Sequence, residues 1–411
     1  MKPRLHIKAS VDGGVGLVRV LLLGVFVSVL VSTSISIAFE FASYLTFALL
    51  PEPRRRLLGV WRNPAVIGLA PLAIVVMAAT FYGPAAWHDS LHALAGWRRI
   101  LLLPLAAAVF DDAASKRLVL KTIVVACLLA TLASGVIVTS LNLPSWLGRG
   151  VVFQNYAVQG VASSIAIIVC IAAIMRPDVF AGDRLLGDRR IMVAAIAAMM
   201  IDVVFVLTGR SGYLSLMVMA VVVVTLLAAG SWRAKTAAGL GVLVCVGLVL
   251  VSSAHVRERF EQAVHEIETV DQAPQASSIG YRVVFWRNAL RMIRDHPILG
   301  VGTGGFQDGY RPYIQGVPGW QGQESGDPHN QFLKITSEQG LIGLVAFLFF
   351  IGRVLACPAP TPYRQLAVAT LIGLCATSLA SSHFSTFPES RILFFWLGAM
   401  LAGADVRGQV A

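Results

Sequence analysis

A succession of apolar runs, each near the length of a bilayer-crossing helix, constrains this sequence more than any other feature. Crossing the hydrocarbon core takes about 20 mainly apolar residues in a helix. Such runs fall at residues 17–36, 38–51, 65–82, 100–112, 118–141, 158–175, 191–207, 212–230, 236–253, 333–353, 365–382 and 388–404. With 56% of residues hydrophobic and 13% charged, the chain is expected to be an all-α polytopic membrane protein with about 12 transmembrane helices. The runs at 38–51 and 100–112 are the weakest, short enough to be tilted or re-entrant.

The net charge of +11 does not imply a nucleic-acid partner, because the basic residues fall on alternate connections, as topology control by Lys and Arg requires. An inner N-terminus places Lys2, Arg4, Lys8, Arg54, Arg55, Arg56, Arg62, Lys116, Arg117, Arg176, Arg184, Arg189, Arg190, Arg233, Lys235, Arg353, Arg364 and Arg407 on the inner side. Only Arg98, Arg99, Arg149, Arg210 and Arg391 fall in the short outer connections. Both termini are then cytoplasmic, and the segment from Ala254 to Pro328 faces out. This divides the chain into 1–253 (spans one to nine), an outer segment 254–332, and 333–411 (spans ten to twelve and a tail). Cys127, Cys170, Cys245, Cys357 and Cys375 all lie in spans or on the inner side, so neither a disulfide framework nor a Cys/His metal spacing is present. There is no fixed-period repeat and no inverted pair of broken spans.

Within the outer segment, Val256, Phe260, Val264 and Ile267 recur at helical spacing and predict an amphipathic helix on the membrane surface. "YRVVFWRNALRMIRDHP" predicts a second helix ended by Pro297, with an apolar face and Arg287, Arg291 and Arg294 on the other. That stripe reads as solvated or headgroup-facing, and it would also attract anionic glycolipids. Gly300, Gly302 and Gly305 satisfy GxGxxG. No strand precedes them and no βαβ unit follows, so they read as backbone-turning glycines after Pro297. Asp111 and Asp112, adjacent at the inner end of a span, read as a helix cap ahead of a metal site.

Three positions carry sharper chemistry. Arg210 sits between two apolar runs, where an ionised side chain costs ~2.5–3.5 kcal/mol or more at mid-membrane. An arginine snorkelling to the interface and a phosphate clamp stand level on physics alone. Arg282, at the first turn of the arginine helix, reads by default as a surface arginine. His329 follows "DP" at the start of "GDPHNQFLKITSEQGLIGLVAFLFF". Asp327 can cap that helix, Pro328 suits its first position, and the positive end of the dipole would keep a first-turn imidazole neutral. A neutral imidazole is the state a general base needs, although a histidine that merely bonds its own loop is the plainer reading from spacing. His383, in the last outer loop, is a second candidate.

The "RSGY" after the seventh span, the outer-loop stretch "YRVVFWRNALRMIRDHPILGVGTGGF" and the block "PHNQFLKITSEQGLIGLVAF" together resemble the bacterial O-antigen ligases. The same superfamily includes the O-antigen polymerases and the protein O-oligosaccharyltransferases. The resemblance is best over residues 200–355. It implies a GT-C-like glycosyltransferase fold in the bacterial inner membrane. It also implies transfer of a glycan from undecaprenyl diphosphate, on the periplasmic face, to a sugar hydroxyl of the lipid A-core, with inversion and without cofactor or metal. The family's two arginines and one histidine match Arg210, Arg282 and His329. Arg149, Gln154 and Asn155 in the loop before the sixth span, with Arg287 and Arg291, are candidate substrate-binding residues. Implied partners are the two glycolipid substrates, membrane lipids and other polysaccharide-assembly proteins. The chain stops shortly after its last expected span, which favours a ligase or polymerase over a protein-directed enzyme. Its compact length and arginine-rich outer helix favour the ligase. A polyprenyl-lipid flippase, binding headgroups without reaction, is the reading from another class.

Overall fold

The computed structural model describes residues 4–139, 150–207, 209–270, 275–385 and 388–404. The described residues are helical and contain no β-strand. Among the described residues, eight helices are long and apolar enough to cross a membrane: Gly13–Val31, Pro64–Phe81, Trp87–Val109, Ala113–Thr139, Tyr156–Met175, Arg210–Leu227, Trp232–Ser252 and Gln331–Leu355. A ninth candidate is the pair Thr33–Leu49 and Pro51–Arg62, bent by 93° at its break. This is a multi-pass membrane protein.

The expected count of twelve is therefore not reached by length and apolarity. Three of the expected runs form shorter helices, Arg189–Ile201, Tyr363–Thr377 and Glu389–Met400. In the last of these every residue is buried, and a Cβ at Gly398 would come within 2.3 Å of the Leu103 carbonyl. A helix surrounded by protein need not match the bilayer thickness, because its neighbours replace lipid around its ends. Arg391, assigned by sequence to a short outer connection, lies inside this helix and is fully buried. Its Nε and Nη2 reach Glu40 Oε2 at 2.9 and 2.8 Å. Arg98 approaches the other oxygen at 3.1 Å, where the Tyr44 hydroxyl also donates at 2.7 Å. Burial of these charges is tolerable only because they are paired.

Two close backbone approaches place the candidate site residues. Gly212 packs on Gly160, where a Cβ at Gly160 would sit 2.8 Å from the Gly212 Cα, so the Arg210–Leu227 helix lies tightly against Tyr156–Met175. Ahead of Arg210, a π-helical turn spans Asp202–Val206. Its buried Asp202 accepts from Ser134 Oγ at 2.6 Å and from Gln159 Nε2 at 3.1 Å. The second approach involves Gly340, with φ 65°, which kinks the Gln331–Leu355 helix. At that kink the Val301 and Gly302 N–H groups donate to the Ser337 and Glu338 carbonyls at 2.9 and 2.8 Å, and Leu341 N–H donates to the Pro297 carbonyl at 2.8 Å. Gly300 and Gly302 take positive φ there, and a Cβ on Gly300 would strike the Glu338 backbone at 2.6 Å. Gly300 and Gly302 thus let the chain after Pro297 dock on the kinked helix.

Residues 254–332 contain a small apolar core of Phe285, Ala289, Met292, Val301, Phe306, Tyr310 and Ile314. Their helices are Ala254–Glu268 and Ser278–Asp295. The first buries Val256 and leaves Phe260, Val264 and Ile267 exposed, the disposition expected of a helix resting on a bilayer. At the other end of the bundle, Asp112 accepts from the Ser115 N–H at 2.8 Å and pairs with Arg19, while Arg56 meets Asp111 at 3.1 Å. The acidic pair caps a helix and holds nearby arginines.

Candidate active site

Ser277 caps the Ser278–Asp295 helix by accepting from the Gly280 N–H at 2.9 Å, which sets Arg282 in its second turn. Arg282 Nη1 donates to the Ser278 carbonyl at 3.3 Å and to Ser278 Oγ at 3.0 Å. Its Nε is buried and has no partner among the described residues. Burial lowers the Arg282 pKa from its ordinary value, with Tyr156 and Glu266 opposing that shift and Arg210 reinforcing it. The guanidinium remains a cation, and Arg210, Tyr156 and Glu266 share its electrostatic neighbourhood. Arg210 itself lies 3.8 Å from Glu266 Oε1, and Glu266 Oε2 accepts from the Ile279 N–H at 3.2 Å. One carboxylate on the surface helix therefore joins Arg210 to the base of the arginine helix.

The local structure at His329 differs from the sequence expectation. Asp327 does not cap the helix, and Pro328 and His329 are not in its first turn. Asn330 is the cap, accepting from the Phe332 and Leu333 N–H groups at 3.0 and 3.1 Å, and the helix begins at Gln331. Tertiary partners claim the Asp327 carboxylate instead: Lys334 Nζ at 2.7 Å, Ser382 Oγ at 2.6 Å and the His329 N–H at 2.7 Å. His329 is held in the left-handed region with φ 52°, a conformation that L-residues rarely adopt. Its ring stacks on Phe285 at 6.1 Å between centroids, and Trp286 Nε1 donates to the Pro328 carbonyl at 2.9 Å. Asn330→Ala is expected to cost about 1 kcal/mol, seen as a lower thermal midpoint of the purified protein. An unchanged midpoint would contradict the cap assignment.

Although the His329 side chain is open on one side, desolvation is the largest influence on it and moves its pKa below the ordinary 6.5. Asp327 works against that shift, and Arg282 and Lys334 add to it. This direction is the one the sequence reading expected, and its causes are packing and the neighbouring cations. The Asp327 carboxylate is held below its usual range by Lys334, Ser382 and the His329 N–H, against the effect of its own burial.

Arg282 and His329 line one cavity of about 640 Å³, together with Tyr281, Phe285, Gln323 and Ser325. Arg210 adjoins it through Glu266 and its influence on Arg282. Arg287 and Arg291 line a different cavity of about 200 Å³. Gln154 and Asn155 are occupied structurally. Gln154 Nε2 donates to the Val29 carbonyl at 2.7 Å, and Asn155 caps the Tyr156–Met175 helix through the Ala157 and Val158 N–H groups. Arg149 lies outside the described residues. His383 is 2% exposed, with neither ring nitrogen hydrogen-bonded among the described residues; burial pushes its pKa down to about 4, and it does not line the cavity.

Sequence reading missed Glu266, Tyr156 and the Asp327–Lys334 pair. The signal for the pair was a lone lysine, Lys334, on a helix that turns Ile335, Glu338 and Gln339 inward. Such a lysine needs a buried anion, and Asp327 is the nearest acidic residue before it.

Comparison with known proteins bears on the same stretch. Residues 195–348 match the family model described as O-Antigen ligase. This stretch is similar to an O-antigen ligase domain. The matched segment contains Arg210, Arg282 and His329. A curated O-antigen ligase of Salmonella typhimurium is 25% identical over 129 residues, covering 31% of this chain and 31% of that relative. The chain thus aligns with about a third of the length of the O-antigen ligase it resembles.

Proposed function

We propose that the protein is a glycosyltransferase that moves a glycan from undecaprenyl diphosphate to a sugar hydroxyl of the lipid A-core. In this reading it lies in the bacterial inner membrane with both termini cytoplasmic, and residues 254–332 form the periplasmic part of the site. The observation that carries the reading is the cavity shared by His329 and Arg282, with Arg210 in the electrostatic neighbourhood of Arg282.

The chemistry follows from those groups. The His329 imidazole takes the proton from the acceptor hydroxyl as its oxygen attacks the anomeric carbon. The bond from that carbon to the diphosphate oxygen breaks, and the departing oxygen keeps the electron pair. Negative charge grows on the diphosphate, and the guanidinium forks of Arg282 and Arg210 meet it with paired N–H donors. Attack from the face opposite the leaving group inverts the anomeric centre. The buried Arg282 Nε, without a hydrogen-bond partner among the described residues, supports this role, because a buried donor gains most from an anion that supplies its missing acceptor. Glu266 holds Arg210 in place while the cavity is empty and gives way to the diphosphate.

A deletion strain separates this reading from its neighbours. Loss of all long chains from the lipid A-core, with polymer accumulating on its lipid carrier, is the expected phenotype. A single repeat capping the core would instead indicate an O-antigen polymerase. Precursor trapped on the cytoplasmic face would indicate a flippase, and unchanged surface polysaccharide with altered glycoproteins would indicate a protein O-oligosaccharyltransferase.

A further inference from the structure

Among the described residues, His329 is the only non-glycine with a positive φ, at 52°. A backbone of that kind costs free energy and persists only where the surroundings impose it. Here the Asp327 carboxylate imposes it. Its Oδ1 accepts from the His329 backbone N–H at 2.7 Å, closing a tight turn across Pro328. The same oxygen accepts from Ser382 Oγ at 2.6 Å, and Oδ2 accepts from Lys334 Nζ at 2.7 Å. Lys334 is largely buried, and a buried ammonium holds its carboxylate strongly because the loss of either partner strands the other. Residues 378–385, which carry Ser382, grip the chain after the turn as well. Asn330 Nδ2 donates to the Leu379 carbonyl at 2.9 Å, and the Gln331 N–H donates to the Ser378 and Ser381 carbonyls at 2.9 and 3.0 Å. From the opposite side Trp286 Nε1 holds the Pro328 carbonyl. The carboxylate thus grips the backbone of His329, while the ring stacks on Phe285 and lines the cavity with Arg282.

We propose that Asp327, clamped by Lys334 and Ser382, is a positioning residue for glycan transfer, holding His329 in the turn that presents its imidazole to the Arg282 cavity. The proposal rests on the transferase reading above. In a Ser-His-Asp triad the carboxylate bonds the imidazole itself. Asp327 instead sets the place of the ring through the chain, so what the site requires of it is an acceptor oxygen at Oδ1 more than a charge. Displacing a catalytic group by about 1 Å can cost on the order of 10²-fold in rate. The competing account is an ion pair that only stabilises the fold. The charges that face the ring allow the two to be told apart. Beyond desolvation, Asp327 favours the protonated imidazole, whereas Arg282 and Lys334 disfavour it. Glu324 also lines the cavity, and its carboxylate accepts from Gln307 and Arg311.

The test uses the full chain in nanodiscs, with a polyprenyl-diphosphate-linked glycan as donor and core oligosaccharide as acceptor. Asp327→Ala should lower kcat about 10²-fold and leave the donor KM near its wild-type value, since the arginines hold the diphosphate. The double variant Asp327→Asn, Lys334→Met removes both charges but keeps the acceptor oxygen, and should recover most of that loss. The second readout is NMR of isotope-labelled histidine, with the His329 signal assigned by its disappearance in His329→Asn. In Asp327→Ala the ring should leave Phe285, and its titration midpoint should rise toward the ordinary 6.5 as it becomes solvated. A ring that stayed in place would lose the carboxylate that favours its proton, and the midpoint would fall. Ser382→Ala, which leaves Lys334 its partner, should move kcat and the signal in the same directions by less. A falling midpoint, wild-type kcat in folded Asp327→Ala, no recovery in the double variant, or wild-type behaviour of Ser382→Ala would each overturn the proposal. The NMR readout needs no transfer. A wild-type chain that moves no sugar, with the ring displaced in Asp327→Ala, would sink the transferase reading and leave the clamp standing.

Discussion

His329→Asn is expected to slow glycan transfer by about 10²- to 10⁴-fold, the usual contribution of a positioned general base, while the protein still inserts and folds. Asparagine is the informative replacement because it tolerates the left-handed backbone that His329 adopts at φ 52°. Alanine would add backbone strain to the loss of the base. The pH profile carries the same claim. A base works only when deprotonated, so kcat/KM should fall as pH falls through the His329 pKa and stay level above it. Because desolvation lowers that pKa, the acid limb should lie below the ordinary imidazole value of 6.5. The limb should vanish from the residual activity of His329→Asn. A variant with wild-type turnover, or a limb that persists without the imidazole, would remove His329 from this role.

Arg282→Gln is expected to lower turnover by about 10²- to 10³-fold, the typical loss when one preorganised donor to developing negative charge is removed. Glutamine keeps the packing of the stem and one donor, so the loss reports the guanidinium. Arg210→Gln should act in the same direction. The double variant should fall short of the product of the two single losses, because both groups serve one diphosphate. Weaker donor binding with unchanged turnover at saturation would mean that the arginines hold the ground state and do not favour departure. Glu266→Gln distinguishes a partner from a participant. It should free Arg210 without abolishing transfer, whereas abolition would place Glu266 itself in the chemistry.

Much of this fold was legible because membrane crossing writes itself into composition over about 20 residues. Hydropathy does not, however, distinguish a helix that faces lipid from one enclosed by protein. Glu389–Met400 is as apolar as a span but lies wholly inside the bundle, and the charge pattern could not reveal that Arg391 turns inward to Glu40. The candidate site residues stand out by type and by motif, and the structure brings Arg282 and His329 into one cavity. What failed was local: Asp327 and Asn330 are both good caps by propensity. The choice between them was made by Lys334 and by Ser382, a residue 55 positions away. Likewise, Gln154 and Asn155 looked available for substrate because their partners, the Val29 carbonyl and the start of their own helix, carry no signal in side-chain chemistry. Their neighbour Tyr156 is the residue that reaches the field of Arg282. Contacts of that kind depend on helix packing, which a single sequence does not encode in any short window.

The most direct measurement is a structure of the full chain with a polyprenyl diphosphate bound. The account predicts diphosphate oxygens against the guanidinium groups of Arg282 and Arg210, with Glu266 released from Arg210 and the His329 ring facing the position of the anomeric carbon. A diphosphate held elsewhere, with that cavity still empty, would contradict it.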